Sequence, residues 1–177
     1  IRQKTKPTQE TAMKNLLFFL TPFILLLFTA CTGEPKVDLE SERAKVMQVL
    51  DNFVLAHEDR NLELLLSCFS EKPDIMILGT DENELWVDKV SMGEAQKRAY
   101  ETFNTVNLSV RDKILKMCGT GDLAWFYMKV NWFVESDDEQ FTFDGIRTTG
   151  VLEKEDVGWK IVQIHTSMPV KGQAVRY

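Results

Sequence analysis

The chain has 177 residues, 44% of them hydrophobic, with 27 acidic against 21 basic side chains and a net charge of −6. That is enough apolar material for one globular domain with its own core. The acidic balance argues against nucleic acid as a partner and against electrostatic binding to an anionic lipid surface.

Residues 1–12 read as an upstream extension without fold content. From Met13 the chain runs "MKNLLFFLTPFILLLFTACTG": one lysine, an apolar stretch from Leu16 to Phe28, then small residues up to Cys31. This pattern predicts a secretory signal over residues 13–30, with an apolar stretch shorter than the ~20 residues a spanning helix needs. "LFTAC" resembles a bacterial lipobox, in which a peptidase cuts before a lipid-modified cysteine. The expectation is an exported protein of the bacterial cell envelope, anchored in the membrane through acyl chains on Cys31. Without residues 1–30 the chain loses Arg2, Lys4, Lys6 and Lys14 against Glu10, so the net charge moves from −6 to −9. Cys68 and Cys118 sit in apolar contexts ("LLLSCF", "ILKMCG") and are expected to be free thiols, although export permits a disulfide.

Residues 31–38 form a tether, residues 39–170 the domain and residues 171–177 a tail. Asp38 can cap a helix whose apolar positions, Val46, Val49, Leu50, Phe53 and Val54, share one face. The helix breaks near "HEDRN", where Asn61 can cap a second, short helix. Pro73 forces extended chain, "DIMILG" reads as a strand, and "LWV" after the polar turn "TDENE" reads as its hairpin partner. Ser91-Met-Gly-Glu94 matches a capping box and is expected to open a third helix, with Ala95, Ala99, Phe103 and Val106 on its buried side. Four long strands follow, starting with "NLSVRDKILKMC" and ending with "WKIVQIHTSM", with turns at 119–122, 136–139 and 155–158. Three helices and then a meander predict an α+β domain, its helices covering the concave face of a strongly curved, cone-shaped antiparallel sheet.

"NFVLAHEDRNLELLLSCFS", "GTDENELWV" and above all "IRTTGVLEKEDVGWKIVQIHTSMP" resemble the SnoaL-like branch of the nuclear-transport-factor-2-like superfamily. The likeness spans roughly residues 39–170 and implies the cone fold. It says little about function, because this fold hosts isomerases, cyclases, dehydratases, oligomerisation domains and binding modules. Steroid isomerases of the fold carry a tyrosine on the first helix, a carboxylate on the first strand and a second acid on the penultimate strand. The matching positions here are Phe53, Ile77 and Gly150. Phenylalanine, isoleucine and glycine neither abstract a proton nor hold an enolate, so that mechanism is disfavoured. The pocket arginines of the calcium/calmodulin-dependent protein kinase II association domain would fall at Gly150 and Thr166. Dehydratase chemistry of the scytalone type asks for a His–Asp pair, and His57 and His165 are the two histidines available.

Strict alternation places Trp159, Ile161, Gln163, His165 and Ser167 on one face of the last strand, and Val162, Ile164, Thr166 and Met168 on the other. The preceding strand divides into Arg147, Thr149 and Val151 against Ile146, Thr148 and Gly150. With Gly150 and Thr166 facing the pocket, Arg147, Thr149, Gln163, His165 and Ser167 would form the outer face on which relatives pair, implying a homodimer. His57 at a helix C-terminus can simply complement the helix dipole. Asp144 is a weak candidate acid, and with His57 or His165 it would make the one acid–base pair an isomerase, cyclase or dehydratase could use. Trp125, Phe126, Tyr127, Trp132 and Phe133 fit core or interface better than cavity. No zinc or iron spacing, calcium loop, phosphate loop or nucleophile elbow occurs, so no metal site or cofactor is expected. The leading expectation is a lipid-anchored cone domain that dimerises and offers a mostly apolar pocket lined by Phe53, Ile77, Trp86, Tyr100, Phe103, Thr148, Gly150, Ile164 and Thr166. It would bind a small apolar or amphipathic molecule without catalysis, the alternatives being an enzyme with relocated acid–base residues or a dimerisation scaffold.

Overall fold

A computed structural model of the chain describes residues 37–172. The expected signal segment, Cys31 and residues 173–177 lie outside the described residues. Helix α1 (Leu39–Glu58) starts where the Asp38 carboxylate accepts the Ser41 N–H at 3.1 Å. Such a cap satisfies one of the four N–H groups that a helix start leaves without a partner. Val46, Leu50, Phe53, Ala56 and His57 form its buried stripe. The helix ends at Glu58, and Arg60, with a φ of 51°, turns the chain away from the helical path. Asn61 then caps α2 (Leu62–Cys68) through the Leu64 N–H at 3.0 Å.

Strands β1 (Met76–Leu78) and β2 (Leu85–Trp86) form the short hairpin. In its turn the Glu84 carboxylate folds back and accepts the N–H groups of Thr80 (2.7 Å) and Asp81 (3.1 Å). Gly79 leaves room for this, since a Cβ there would sit 2.1 Å from Glu84 Oε2. Helix α3 (Lys89–Thr102) begins two residues before the expected capping box. Its cap is Asp88, which accepts the Ser91 N–H at 2.7 Å, so Ser91 lies inside the first turn. The helix buries Met92, Gly93 and Tyr100, whereas Ala95 and Ala99 are only half-buried.

Strands β3 (Thr105–Met117), β4 (Leu123–Glu135), β5 (Gln140–Glu155) and β6 (Gly158–Ser167) form the meander. The sheet is curved and unclosed, with order β2-β1-β6-β5-β4-β3. All neighbours are antiparallel except β1 and β6, which run parallel. Irregularities between Val110 and Asp112 in β3, between Val130 and Trp132 in β4, and opposite Val151–Leu152 of β5 break the ladder. Bulges of this kind bend a strand and increase its twist.

The β6 bulge overturns the strict alternation expected for this strand. Val151 faces Gln163 and Leu152 faces Ile161, so Val162 is an extra residue. Trp159 and Ile161, expected beside His165 on the outer face, are instead 4% and 0% exposed in the core with Ile164. Cys68 is buried and Cys118 half-buried, and both are free thiols.

One buried charge ties α1 to the β5–β6 hairpin. Glu42 is 6% exposed and accepts the Trp159 indole N–H at 2.7 Å. Its other oxygen meets Lys45 at 2.8 Å and Lys154 at 3.0 Å. Hydrogen bonds from Lys45 first, then Trp159 and Lys154, hold the Glu42 carboxyl at about 2, below the usual 4.5. A depressed carboxyl pKa stabilises the fold above the unfolded value, and that contribution disappears as pH falls through the folded value. Acid unfolding followed by circular dichroism between pH 4.5 and about 2 is therefore expected to show a stability slope. The Glu42→Gln variant should flatten this slope and be less stable at pH 7.

Candidate functional site: an apolar cavity

Between the helices and the inner face of the sheet lies a cavity of about 380 Å³, within the range of small-molecule sites. Phe53 and His57 reach it from α1, and Ile77 and Trp86 from the short hairpin. Helix α3 contributes Met92, Ala99 and Tyr100, with Phe103 just beyond its end. The sheet supplies Trp132, Val134, Phe143, Ile146, Ile164 and Thr166. Among the described residues, Glu84 is the one charged side chain on the wall, and no lysine or arginine borders it.

Two residues expected in the wall are absent from it. Gly150 lies under the Phe126 ring: a Cβ there would stand 2.6 Å from Phe126 Cε1 and 2.6 Å from the Gln163 carbonyl. Thr148, 3% exposed, is buried between Met128 and Thr166 in the ladder without bordering the cavity. The cavity is bordered instead by Phe143 and Ile146, nearer the start of β5 and on either side of the β4–β5 irregularity. In that irregularity Gly145 adopts φ 71° and gives its N–H to Asn131 Oδ1 at 2.9 Å. Asp144, one residue earlier, is exposed and off the wall.

His165 is exposed opposite Thr149 on the outer face of the sheet, away from the cavity. Arg147 and Thr149 are also exposed there, with Gln163 and Ser167 half-buried. The Asp144–His165 and Asp144–His57 pairs therefore do not assemble. His57 behaves differently from a dipole-complementing surface residue, being 5% exposed with its ring against Phe53, Tyr100 and Trp132. A signal for this was available: His57 follows Phe53 by four residues and continues the stripe through Val46 and Leu50. Alternation along β4 likewise places Trp132 on the inner side with Val130 and Val134.

Tyr100 Oη lies 3.1 Å from His57 Nδ1 and 3.1 Å from the Ala56 carbonyl. The hydroxyl has a single hydrogen. Both contacts are hydrogen bonds only if Tyr100 donates to Ala56 and the His57 Nδ1–H donates to Tyr100. The opposite tautomer would leave two oxygens touching at 3.1 Å with no hydrogen between them. Nε2 is then the bare acceptor, and it has no hydrogen-bond partner among the described residues. Burial brings His57 down from 6.5 to about 4, so the ring is neutral at pH 7. Burial also pushes the Tyr100 phenol well above its ordinary value. Beside His57, at a ring-centroid distance of 5.1 Å, the Trp132 indole N–H is buried without a partner. Among the described residues, no three His, Cys, Asp or Glu side chains gather as a metal-binding group.

Residues 46–171 match the family model of the SnoaL-like domain, and the chain belongs to that family. No curated protein matches it. The fold is shared with a nuclear transport factor 2-like superfamily protein from Salmonella enterica serovar Typhimurium. That match has a TM-score of 0.68 at 15% identity and covers 78% of this chain and 99% of the other. A protein from Novosphingobium aromaticivorans, provisionally named a scytalone dehydratase, matches with TM-score 0.67 at 12% identity, over 78% of this chain and 93% of its own. A provisionally named dehydratase from Streptomyces avermitilis gives 0.66 at 14% identity, over 74% and 98%. At such identities the likeness establishes the fold alone.

A His57 held near pKa 4 binds fewer protons folded than unfolded between pH 6.5 and 4. Its contribution to stability is thus complete above pH 6.5 and is lost on acidification towards about 4, on the order of 3 kcal/mol in total. Denaturant unfolding at pH 7 and pH 4.5 should show this loss in the parent chain, with a shallower one in His57→Gln. In a proton NMR titration the His57 ring should keep its neutral shifts down to about pH 5.

Proposed function

We propose that this SnoaL-like domain binds a small, largely apolar molecule in the cone cavity and performs no reaction on it. The observation that carries the proposal is the cavity itself: about 380 Å³, walled mainly by apolar and aromatic side chains, with a few polar residues among them. Sites of this composition take apolar ligands by desolvation and orient them with a few hydrogen bonds. Acid–base catalysis at neutral pH favours groups with pKa values near 7, whereas burial holds His57 near 4. Among the described residues no carboxylate orients that ring, and Phe53 and Ile77 line the wall with hydrocarbon. The dehydratase names of two structural neighbours support a second reading, an enzyme working through His57 and Tyr100. A turnover assay in which His57→Gln abolished activity would favour it.

On this reading the domain is tethered to the envelope membrane through lipid on Cys31, and it dimerises through the outer sheet face around Arg147, Thr149, Gln163, His165 and Ser167. The lipobox-like "LFTAC" supports the first statement and the polar stripe on that face supports the second. Cys31→Ser is expected to abolish incorporation of radiolabelled palmitate and to move the protein out of the membrane fraction. Sedimentation of the delipidated protein should give a dimer, weakened by Arg147→Glu.

Saturable uptake of the neutral dye N-phenyl-1-naphthylamine, with one site per chain, is the direct measurement of ligand binding. Ala99→Phe, which places a ring in the cavity, should weaken it at least about tenfold while leaving the unfolding midpoint nearly unchanged. Dye binding that survives this substitution unaltered would remove the cavity from the proposal.

A further inference from the structure

Two neighbouring rings of the cavity wall carry unmatched groups of opposite kind. His57 Nε2 is an acceptor with no partner among the described residues, fixed in that role by the Tyr100–Ala56 bonds behind it. Trp132 Nε1 is a donor that is buried and unpartnered. A buried donor left without a partner is unfavourable relative to a bonded one. A ligand atom that satisfies it therefore gains more than the same contact would at the surface. The two rings are neighbours in the cavity wall, tilted at 59° with 5.1 Å between their centroids.

Charge narrows the choice further. No lysine or arginine borders the cavity among the described residues, and the one wall carboxylate, Glu84, is negative. A carboxylate ligand would enter an apolar space without a counter-ion, at the cost of its desolvation. It would also find an acceptor at His57 where it needs a donor. A carbonyl or ether oxygen could answer Trp132 but not His57. A hydroxyl answers both.

Resting on the binding reading above, we infer that the natural ligand is a neutral hydrophobic alcohol or phenol, its hydroxyl donating to His57 Nε2 and accepting from Trp132 Nε1. The group is recognised without chemistry on it. Tyr100 acts as a positioning residue that holds His57 in the accepting tautomer.

Titration calorimetry of the full chain at pH 7 with four probes tests this: naphthalene, 2-methoxynaphthalene, 2-naphthol and 2-naphthoate. The expected order is 2-naphthol tightest, the methyl ether about tenfold weaker, naphthalene weaker again, and 2-naphthoate weaker than 2-naphthol by tenfold or more. Trp132→Phe should bring the ether down to the level of naphthalene. His57→Leu should erase the preference for 2-naphthol over the ether while naphthalene binds as before. If His57→Leu does not fold, Trp132→Phe decides alone. Equal binding of the three neutral probes, or tightest binding of 2-naphthoate, overturns the hydroxyl assignment and leaves apolar binding standing. Failure of all four to bind overturns the binding reading itself.

Discussion

Helix α1 lies against the inner face of the sheet through Val46, Leu50, Phe53 and Ala56, touching β3 and β6, and each of its ends is fastened to a different part of the domain. At the N-terminal end Glu42 meets Trp159, Lys45 and Lys154. At the C-terminal end His57 and the Ala56 carbonyl meet Tyr100 of α3. Between these anchors the stripe packs without gaps: Val46, Leu50 and Ala56 are all 0% exposed. The cavity opens where the stripe ends, between α3 and the sheet, and aromatic rings line the gap.

The two fastenings use polarity in opposite ways. Glu42 is a buried charge with each oxygen answered, so its burial is offset by three donors. His57 is kept uncharged by burial, and only one of its nitrogens is answered. The first arrangement closes a structural joint. The second leaves one ring nitrogen without a partner among the described residues.

Comparison with the steroid isomerases of the fold shows how the same walls take a different role. Two of the three positions that carry chemistry there are cavity hydrocarbon here, Phe53 and Ile77, and the third, Gly150, lies beneath the Phe126 ring. Polar atoms enter the wall here at His57, one turn along α1, and at Trp132 on β4. The fold preserves the space and leaves its chemistry to individual side chains.

Most elements were legible in the residue pattern because local rules set them: Asp38 and Asn61 caps, the 3.6-residue stripe of α1, and turns at 119–122, 136–139 and 155–158 between alternating strands. Phe53, Ile77, Trp86, Tyr100, Phe103, Ile164 and Thr166 could be placed near the pocket for the same reason, with the family resemblance supplying the arrangement of elements. Local rules do not register a bulge, and a single extra residue reverses every side chain beyond it. So Ile161 and Trp159 moved to the core, and the β4–β5 irregularity put Asp144 outside and the cavity beyond Thr148 and Gly150. The parallel pairing of β1 with β6 and the Glu42–Trp159 joint join residues more than eighty positions apart, beyond the reach of any spacing rule. The sequence by itself determined the family, the order of elements and the apolar character of the cavity. Only the tertiary structure decided that His57, whose environment comes from three separate elements, is a neutral acceptor beside an unanswered indole.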